Sequence, residues 1–509
     1  MNTTQSSSNQ PTTLTQLKAG MQLIYNGNQL YTVTPTLAQQ FKTGDKLLFV
    51  KGATEPIIIP QFATQLVAEK IKASQAAFYQ LAQVSDEQLN QFYESFSANL
   101  ANDTIWKNIQ DVNNQDVEAA KQKGRSTTRL IATDKTRNNM IQGLLEYKNQ
   151  PIQRVETLTN KQHDGWAVTL KKSPLGIVGF VFEGRPNVIA DATGVLKSGN
   201  TAIFRVGQDA RQTANAILEH GLYPALDSAN IDRNVIQILN RSERSTAWAL
   251  FSNPNLNLAV ARGSGPAVDM LGNIAQQAGV AVSLHGTGGA WMVTCSTTNP
   301  TDLTHAIIGS LDRKVCNTLN TLCVLKSELA TQLPAILTGL QTAAQNLNTN
   351  YRLHIEQHSA TLLPELDYTK TITVQRPTGP QTEPQISTLD KSKLGHEFMW
   401  EQSPEIALVV VDSVEEAIEL CNQYSPQFVA SLITKDQSKL TTFFNSINAP
   451  FIGNGMTRWV DGQYALHAPE LGLSNWENGR FLARSAILSG DGVYTTRIQM
   501  DQSISLLKR

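Results

Sequence analysis

A chain of 509 residues, 41% of them hydrophobic, is too long for one core and rich enough to bury two or three. Its 42 basic and 43 acidic side chains leave a net charge of −1, so neither a basic field for nucleic acid nor an acidic tail for a basic partner is expected. Four cysteines, Cys295, Cys316, Cys323 and Cys421, carry no metal-ligand spacing and no dense disulfide pattern; no metal site is expected, and reduced thiols suit a cytoplasmic protein.

The first thirteen residues are rich in Ser, Thr, Gln and Asn, carry no charge and lack the parts of a signal peptide; residues 1–20 are expected to be a disordered tail. No run approaches the roughly 18 apolar residues of a membrane span, so a soluble protein without membrane contact is expected. Residues 21–62 read as a small β appendage. Residues 21–25 and 29–33 flank Asn26-Gly27-Asn28, a tight-turn signal, and residues 47–50 and 57–59 add two strands. From 63 to about 150 the apolar residues recur at helical spacing, as in Phe78, Leu81, Leu89 and Phe92. Strands and helices then alternate. Residues 177–182, 201–204, 235–239, 256–261 and 280–284 are apolar, as in a parallel sheet covered on both faces. A second α/β region starts near 285, with strands at 291–295 and 407–411 and a helix at 414–423. Residues 375–390 read as a loop.

Cys316 lies in Asp312-Arg313-Lys314-Val315-Cys316-Asn317, a polar turn between an expected helix at 303–311 and an apolar stretch at 319–325. Arg313 and Lys314 stand just before it, with Val315 between, and are expected to lower its pKa, which favours the nucleophilic thiolate. The alternative is a buried structural cysteine. Cys323 and Cys421 sit in apolar runs and are expected in the core, whereas Cys295 closes a strand and stays open. Asn187 follows a buried strand, where its amide can donate to a developing oxyanion, although Pro186-Asn187 is also an ordinary turn. Arg205 leaves a strand end, where nucleotides bind in open α/β sheets, or is a surface arginine. Gly263 and Gly265 open a helix after an apolar strand and would let a phosphate approach backbone N–H groups, though the full dinucleotide fingerprint is missing. In the polar loop 454–462, Arg458 can hold an anionic substrate or form a structural Arg–Asp pair.

In this order the segments resemble the aldehyde dehydrogenase superfamily and, within it, the gamma-glutamyl phosphate reductase (glutamate-5-semialdehyde dehydrogenase) family. The resemblance is carried by residues 174–179, Arg185-Pro186-Asn187, residues 196–200, Val315-Cys316-Asn317, residues 411–418, residues 454–462, Glu470-Leu471-Gly472-Leu473-Ser474 and Thr495-Thr496-Arg497. It covers most of the chain but not the first 60 or so residues. The fold it implies is α/β and aldehyde dehydrogenase-like. A parallel-sheet NADP-binding domain would span 63–284, with an oligomerisation strand at 156–171. A catalytic-cysteine domain would span 285–450, and a return segment with an oligomerisation arm 451–509.

The activity implied by the resemblance is NADPH-dependent reduction of L-glutamyl 5-phosphate to L-glutamate 5-semialdehyde, a step of proline biosynthesis. Cys316 would take the acyl group as a thioester, phosphate would leave, and NADPH would supply hydride. Asn187 and the Cys316 N–H would hold the oxyanion. Arg205, Gly207, Gly263 and Gly265 fall on the cofactor side, with Arg205 suited to a 2′-phosphate. Glu401 matches the acidic residue at the nicotinamide-side ribose, with Glu397 as the alternative because the alignment needs a gap. Arg185, Thr457, Arg458 and Asp461 fall on the substrate side. A kinase that supplies the acyl phosphate and further copies of this chain are the implied partners.

One absence accords with a reductase. Residues 284–291, aligned with the segment that carries a water-activating carboxylate in hydrolytic relatives, contain none; His285 is left as a base or as a structural or substrate-facing group. Other positions depart from the family. Asp312-Arg313-Lys314 replaces Arg-Pro-Gly, Met456 a small hydroxyl residue and Glu183-Gly184 Glu-Ser; Leu482-Ala483-Arg484-Ser485-Ala486 replaces His-Ala-Arg-Gly-Pro, and Pro469 is inserted. These departures leave two alternatives: a paralogue that reduces another activated acyl group, an acyl phosphate or a carrier thioester, and a non-catalytic nucleotide-binding scaffold.

Overall fold

The computed structural model describes residues 13–25, 27–125, 127, 130–152, 154–376, 379–460, 465, 470–476 and 487–503. Two parallel sheets carry it. The first has the order Ala281–His285, Leu258–Arg262, Ile177–Phe182, Thr201–Val206, Ile236–Ile238, every neighbouring pair parallel. Its central strand, Ile177–Phe182, is buried at every residue. The reason is that its two faces belong to two cores. Val178, Phe180 and Phe182 join a core with Phe92, Phe96 and Leu144, while Ile177 and Val181 join another with Val67, Ile71 and Phe251. An apolar residue at every position is what a strand covered on both faces requires. Gly179 is part of this packing: a Cβ there would lie 2.9 Å from Leu256 Cδ2.

The second sheet has seven parallel strands in the order Ile386–Leu389, Arg352–Glu356, Glu405–Val411, Leu319–Leu325, Ala290–Val293, Val429–Leu432, Phe451–Gly453. Its core also takes residues of helices Pro300–Ser310, Leu329–Asn346 and Val414–Tyr424. Cys323 and Cys421 lie in that core as expected, and Cys295 joins them. The expected helical run from 63 to 150 holds four helices, Gln61–Leu81, Asp86–Ala101, Asp103–Gln122 and Asp134–Asn149, of which the first begins at Pro60 and the second at a capping box built by Ser85 and Gln88.

The expectation of a loop at 375–390 is overturned. Thr371–Arg376 and Gly379–Pro384 pair as an antiparallel hairpin, and Ile386–Leu389 is the edge strand of the second sheet. Ile372 and Val374 alternate with polar residues in the first strand, but residues 375–385 are polar and Pro-containing, so little local marks that segment as strand. A tertiary ion network organises it. Glu405 receives Arg352 Nη1 at 2.5 Å, His354 Nε2 at 2.7 Å and Arg376 Nη1 at 3.0 Å, while Arg376 also binds Glu383 at 2.7 Å.

At the N-terminus, Gln22–Tyr25 pairs antiparallel with Gln29–Thr32, and Lys46–Leu48 with Ile57–Ile59. Leu17, Val33, Leu37 and Phe41 form a small core of their own. The segment is clipped to helix Gly265–Gln277, whose Asn273 Nδ2 donates to Lys51 O at 3.1 Å and Gln277 Nε2 to Phe49 O at 3.0 Å. A three-stranded antiparallel sheet joins Tyr494–Gln502, Trp166–Pro174 and Thr157–His163. Glu470–Leu473 brings the C-terminal segment back against the first sheet. Among the described residues no helix is long and apolar enough to cross a membrane.

Burial alone raises the Glu405 carboxyl, but hydrogen bonds from His354 and Arg376 and the charge of Arg352 bring it down to about 2. A carboxyl depressed on folding contributes stability above its ordinary value of 4.5 and loses it as pH falls towards 2. Breaking one partner of a buried network costs about 3–5 kcal/mol. Glu405→Gln is therefore expected to lower the urea midpoint of the second core, read by the fluorescence of Trp291 and Trp400. The gap from the parent protein should close between pH 4.5 and 2.

Candidate active site

Three neighbouring strands of the first sheet, Ile177–Phe182, Leu258–Arg262 and Ala281–His285, end at the same edge, with Arg262 opposite His285. Parallel sheets deliver the residues that follow their strands to one place, and here those are Glu183 to Asn187, Arg262 and His285. Arg262 Nη1 meets Glu470 Oε1 at 3.0 Å, a contact supplied by the returning C-terminal segment. Arg185 pairs with Glu183. Asn187 makes no side-chain cap to the helix that follows; its Nδ2 donates to Asp191 Oδ2 at 2.7 Å.

The second sheet brings the Cys316 turn. It is fixed by backbone and hydroxyl bonds: Val315 N–H donates to Thr318 Oγ1 at 2.9 Å, and Thr318 Oγ1 to Arg313 O at 2.7 Å. Gly289 N–H donates to Cys316 O at 2.7 Å. Gly288 lies so close that a Cβ on it would stand 2.6 Å from Cys316 Cα, which only glycine permits. Glu397 accepts the Gly288 N–H at 2.8 Å and Lys314 Nζ at 2.6 Å.

The electrostatics correct one expectation. Arg313 is exposed, and Lys314 is paired with Glu397, so neither supplies the field expected to lower the Cys316 pKa. Burial pushes the thiol above its ordinary value; Arg262 and Arg185 pull it down, while Glu470 and Glu397 push it further up. His285 is pushed down to about 3 by burial and by Arg262, so it is neutral near pH 7 and a weak base. Its ring lies 4.5 Å from that of Phe428.

Thr457 and Arg458 are brought to the cysteine turn, but through structural bonds. Thr457 is buried; its Oγ1 donates to Asn317 O at 2.7 Å and its N–H to Ser310 Oγ at 2.9 Å. Arg458 Nε donates to Asp312 Oδ1 at 2.6 Å and its Nη1 to Asn317 Oδ1. Asp461, Pro469 and the run from Leu482 to Ala486 lie outside the described residues. Of the two candidate acidic residues, Glu397 is the one at Cys316, while Glu401 is exposed.

On the cofactor side, Arg205 Nη2 donates to Ser242 O at 3.2 Å, and its buried Nε has no hydrogen-bond partner. Burial and the neighbouring Arg244 both lower its pKa. Among the described residues no carboxylate pairs with either arginine, so the pair suits a bound anion. A Cβ at Gly263 would meet only Val268 Cγ2, at 4.0 Å, and Gly265 starts helix Gly265–Gln277 with Ser264 making no side-chain cap. Of the first turn that leaves the Gly265 N–H for a phosphate, because Pro266 has none and those of Ala267 and Val268 donate to Ser264 O. Gly207 instead packs on the loop of Gly184, where a Cβ would be 2.7 Å from the Gly184 nitrogen. These residues fit a phosphorylated dinucleotide. A cavity of about 780 Å³ adjoins the helix, lined among others by Pro266, Thr287, Gln427, Asn475 and Lys51.

Sequence reasoning missed Arg262, Asp191 and Glu470 as site residues. Arg262 ends an apolar strand as Arg205 does, and Asp191 follows Asn187 by one helical turn, so both left a signal. Glu470 left none, because it meets Arg262 across 208 residues of chain.

No protein-family model matches the chain. Gamma-glutamyl phosphate reductase 2 of Bacillus licheniformis is 26% identical over 421 residues, 81% of this chain and 91% of the relative. The crystal structure of gamma-glutamyl phosphate reductase from Thermotoga maritima superposes with a TM-score of 0.74 at 22% identity, over 87% of this chain and all of that one. An engineered glycolyl-CoA reductase with bound NADP+ gives a TM-score of 0.57 at 15% identity, over 85% of this chain and 96% of the other. The fold is that of the aldehyde dehydrogenase superfamily.

The pH dependence of Cys316 alkylation by iodoacetamide, read by mass spectrometry, checks the field. The midpoint is expected above the roughly 8.5 of a free thiol. Arg262→Gln should move it higher and Glu397→Gln lower.

Proposed function

From the homology across most of this chain to gamma-glutamyl phosphate reductases of the aldehyde dehydrogenase superfamily, we propose an NADPH-dependent reductase that converts L-glutamyl 5-phosphate to L-glutamate 5-semialdehyde. The observation that carries this reading is that Arg262 and Arg185, at the edge of the first sheet where Asn187 also follows a strand, act on the Cys316 thiol brought by the second. The Cys316 thiolate attacks the acyl carbonyl, the C–S bond forms, the C–O bond to phosphate breaks, and phosphate leaves. Arg262 and Arg185 are the cations that favour the thiolate against the cost of burial. Asn187 and the Cys316 N–H donate to the oxyanion, where one donor is worth about 10²–10³ in rate.

Keeping water from the thioester needs no base nearby. His285, at about 3, holds little basicity, and residues 285–290 contain no carboxylate. Arg205 and Arg244 would hold a 2′-phosphate, and the first turn of helix Gly265–Gln277 the pyrophosphate. A nicotinamide held there would supply hydride to the thioester carbon, and breaking the C–S bond would return the Cys316 thiolate and release the aldehyde. Glu397, with Lys314, keeps the Gly288 loop against the cysteine.

A second reading, reduction of another acyl phosphate or a carrier thioester, is favoured by one observation: Arg458 is engaged by Asp312 and Asn317, which leaves less charge for a free anion. Phosphate-dependent formation of NADPH from glutamate 5-semialdehyde decides between them. Turnover is expected, and Arg205→Ala should raise the KM for NADP+ about tenfold or more, the worth of a charge-assisted hydrogen bond, without raising that for NAD+. Folded protein that turns over only other semialdehydes would remove the glutamyl assignment.

The same reading includes self-association. Thr157–His163 is exposed at every residue as a sheet edge, and Ile498 and Met500 on the opposite edge strand are exposed at 72% and 51%. Light scattering is expected to give a multiple of 55.8 kDa; a monomer at micromolar concentration would refute it.

A further inference from the structure

Asp191 is an acidic group at the site to which the proposed reaction assigns nothing. It sits in helix Val188–Ala192, one turn after Asn187, and accepts Asn187 Nδ2 at 2.7 Å. Its place is fixed from behind: Tyr147 Oη donates to Asp191 O at 2.7 Å, and Asp191 N–H donates to Asn187 O at 3.1 Å. A primary amide is planar and presents two N–H groups and one oxygen, so its usefulness to an oxyanion depends on which way it is turned. An ionised carboxylate only accepts. It therefore selects the amide orientation seen here, takes one N–H and leaves the other. A protonated carboxyl can donate to Asn187 Oδ1 and loses that selection.

We propose that Asp191 is the positioning residue of the oxyanion site, locking the Asn187 amide in its donor orientation when ionised. This rests on the reading of Cys316 as an acyl acceptor, but not on which acyl group it accepts. The groups facing Asp191 are Glu470 from the returning strand, Arg262 from the strand end and Arg185 from the loop. Burial and Glu470 raise its carboxyl, and Arg262, Asn187 and Arg185 lower it, leaving it at about 7. The lock is thus present above about pH 7 and released below it.

Acylation of Cys316 by p-nitrophenyl acetate tests this without cofactor or natural substrate. The thiolate displaces p-nitrophenolate through an oxyanion, and product release is read by absorbance. The ratio of acylation rates of parent protein to Asn187→Ala is expected to rise through about pH 7 and level off near 10²-fold. Asp191→Asn, an isosteric change, should slow acylation about tenfold above pH 7. It should have no further effect in the Asn187→Ala background, whereas Asp191→Glu should recover part of the loss. A ratio that is flat with pH, or an Asp191→Asn cost equal in both backgrounds, would overturn the proposal. Because the first ratio needs only Asn187→Ala, a misfolded Asp191 variant does not decide the matter. Acylation with these features but no turnover of glutamate semialdehyde would sink the substrate assignment and leave Asp191 standing. Cys316→Ala, which should abolish the acylation burst, identifies the thiol that is read.

Discussion

Arg262 ends a strand whose other residues are buried, and its guanidinium meets Glu470 at 3.0 Å. That pair ties the C-terminal segment to the first sheet and at the same time sets the field at the site. Arg262 acts on the Cys316 thiol, the Asp191 carboxyl and the His285 imidazole, and Glu470 acts on the first two in the opposite sense. A cation and an anion in contact nearly cancel at a distance, yet at a few ångströms the nearer one dominates. One arginine thereby biases three titratable groups, and its carboxylate partner opposes it at two of them.

The second constraint is steric. Cys316 is not held by its own side chain but by the loop of Gly288 and Gly289, which approaches it so closely that no Cβ fits. Glu397 and Lys314 hold that loop from the far side. Lys314, two residues before the cysteine, thus has a carboxylate partner, and its charge is spent on the scaffold and not on the thiol. Thr457 and Arg458 likewise serve the shape of the turn, through Asn317 and Asp312.

The proposed cofactor side is built on a different principle. Arg205 and Arg244 are left close together with no carboxylate among the described residues to neutralise them. Two like charges held near one another cost free energy, which an anionic ligand offsets. The N-terminal segment, clipped to helix Gly265–Gln277, contributes Lys51 to the wall of the neighbouring cavity.

Much of this was legible in the chain. Uninterrupted apolar runs such as Ile177–Phe182 and Leu319–Leu325 announce strands covered on both faces, because each residue must meet a core. Cys316 in its polar turn, Asn187 past a strand and Arg205 at a strand end carry local signals, since parallel topology sends strand ends to one edge. The hairpin that starts at Thr371–Arg376 carried little: Ile372 and Val374 alternate with polar residues, but its second strand is polar, and Arg376 is tied to Glu405, 29 residues away. Nor could the sequence say that Lys314 would face Glu397, that Glu470 would reach Arg262, or that Arg458 would turn to Asp312. Charge signs are written locally, but a pKa depends on burial and on partners within a few ångströms, and those are chosen only when distant segments pack. The sequence by itself determined which residues have the chemistry; the tertiary structure decided which charges act on the thiol and which are already paired.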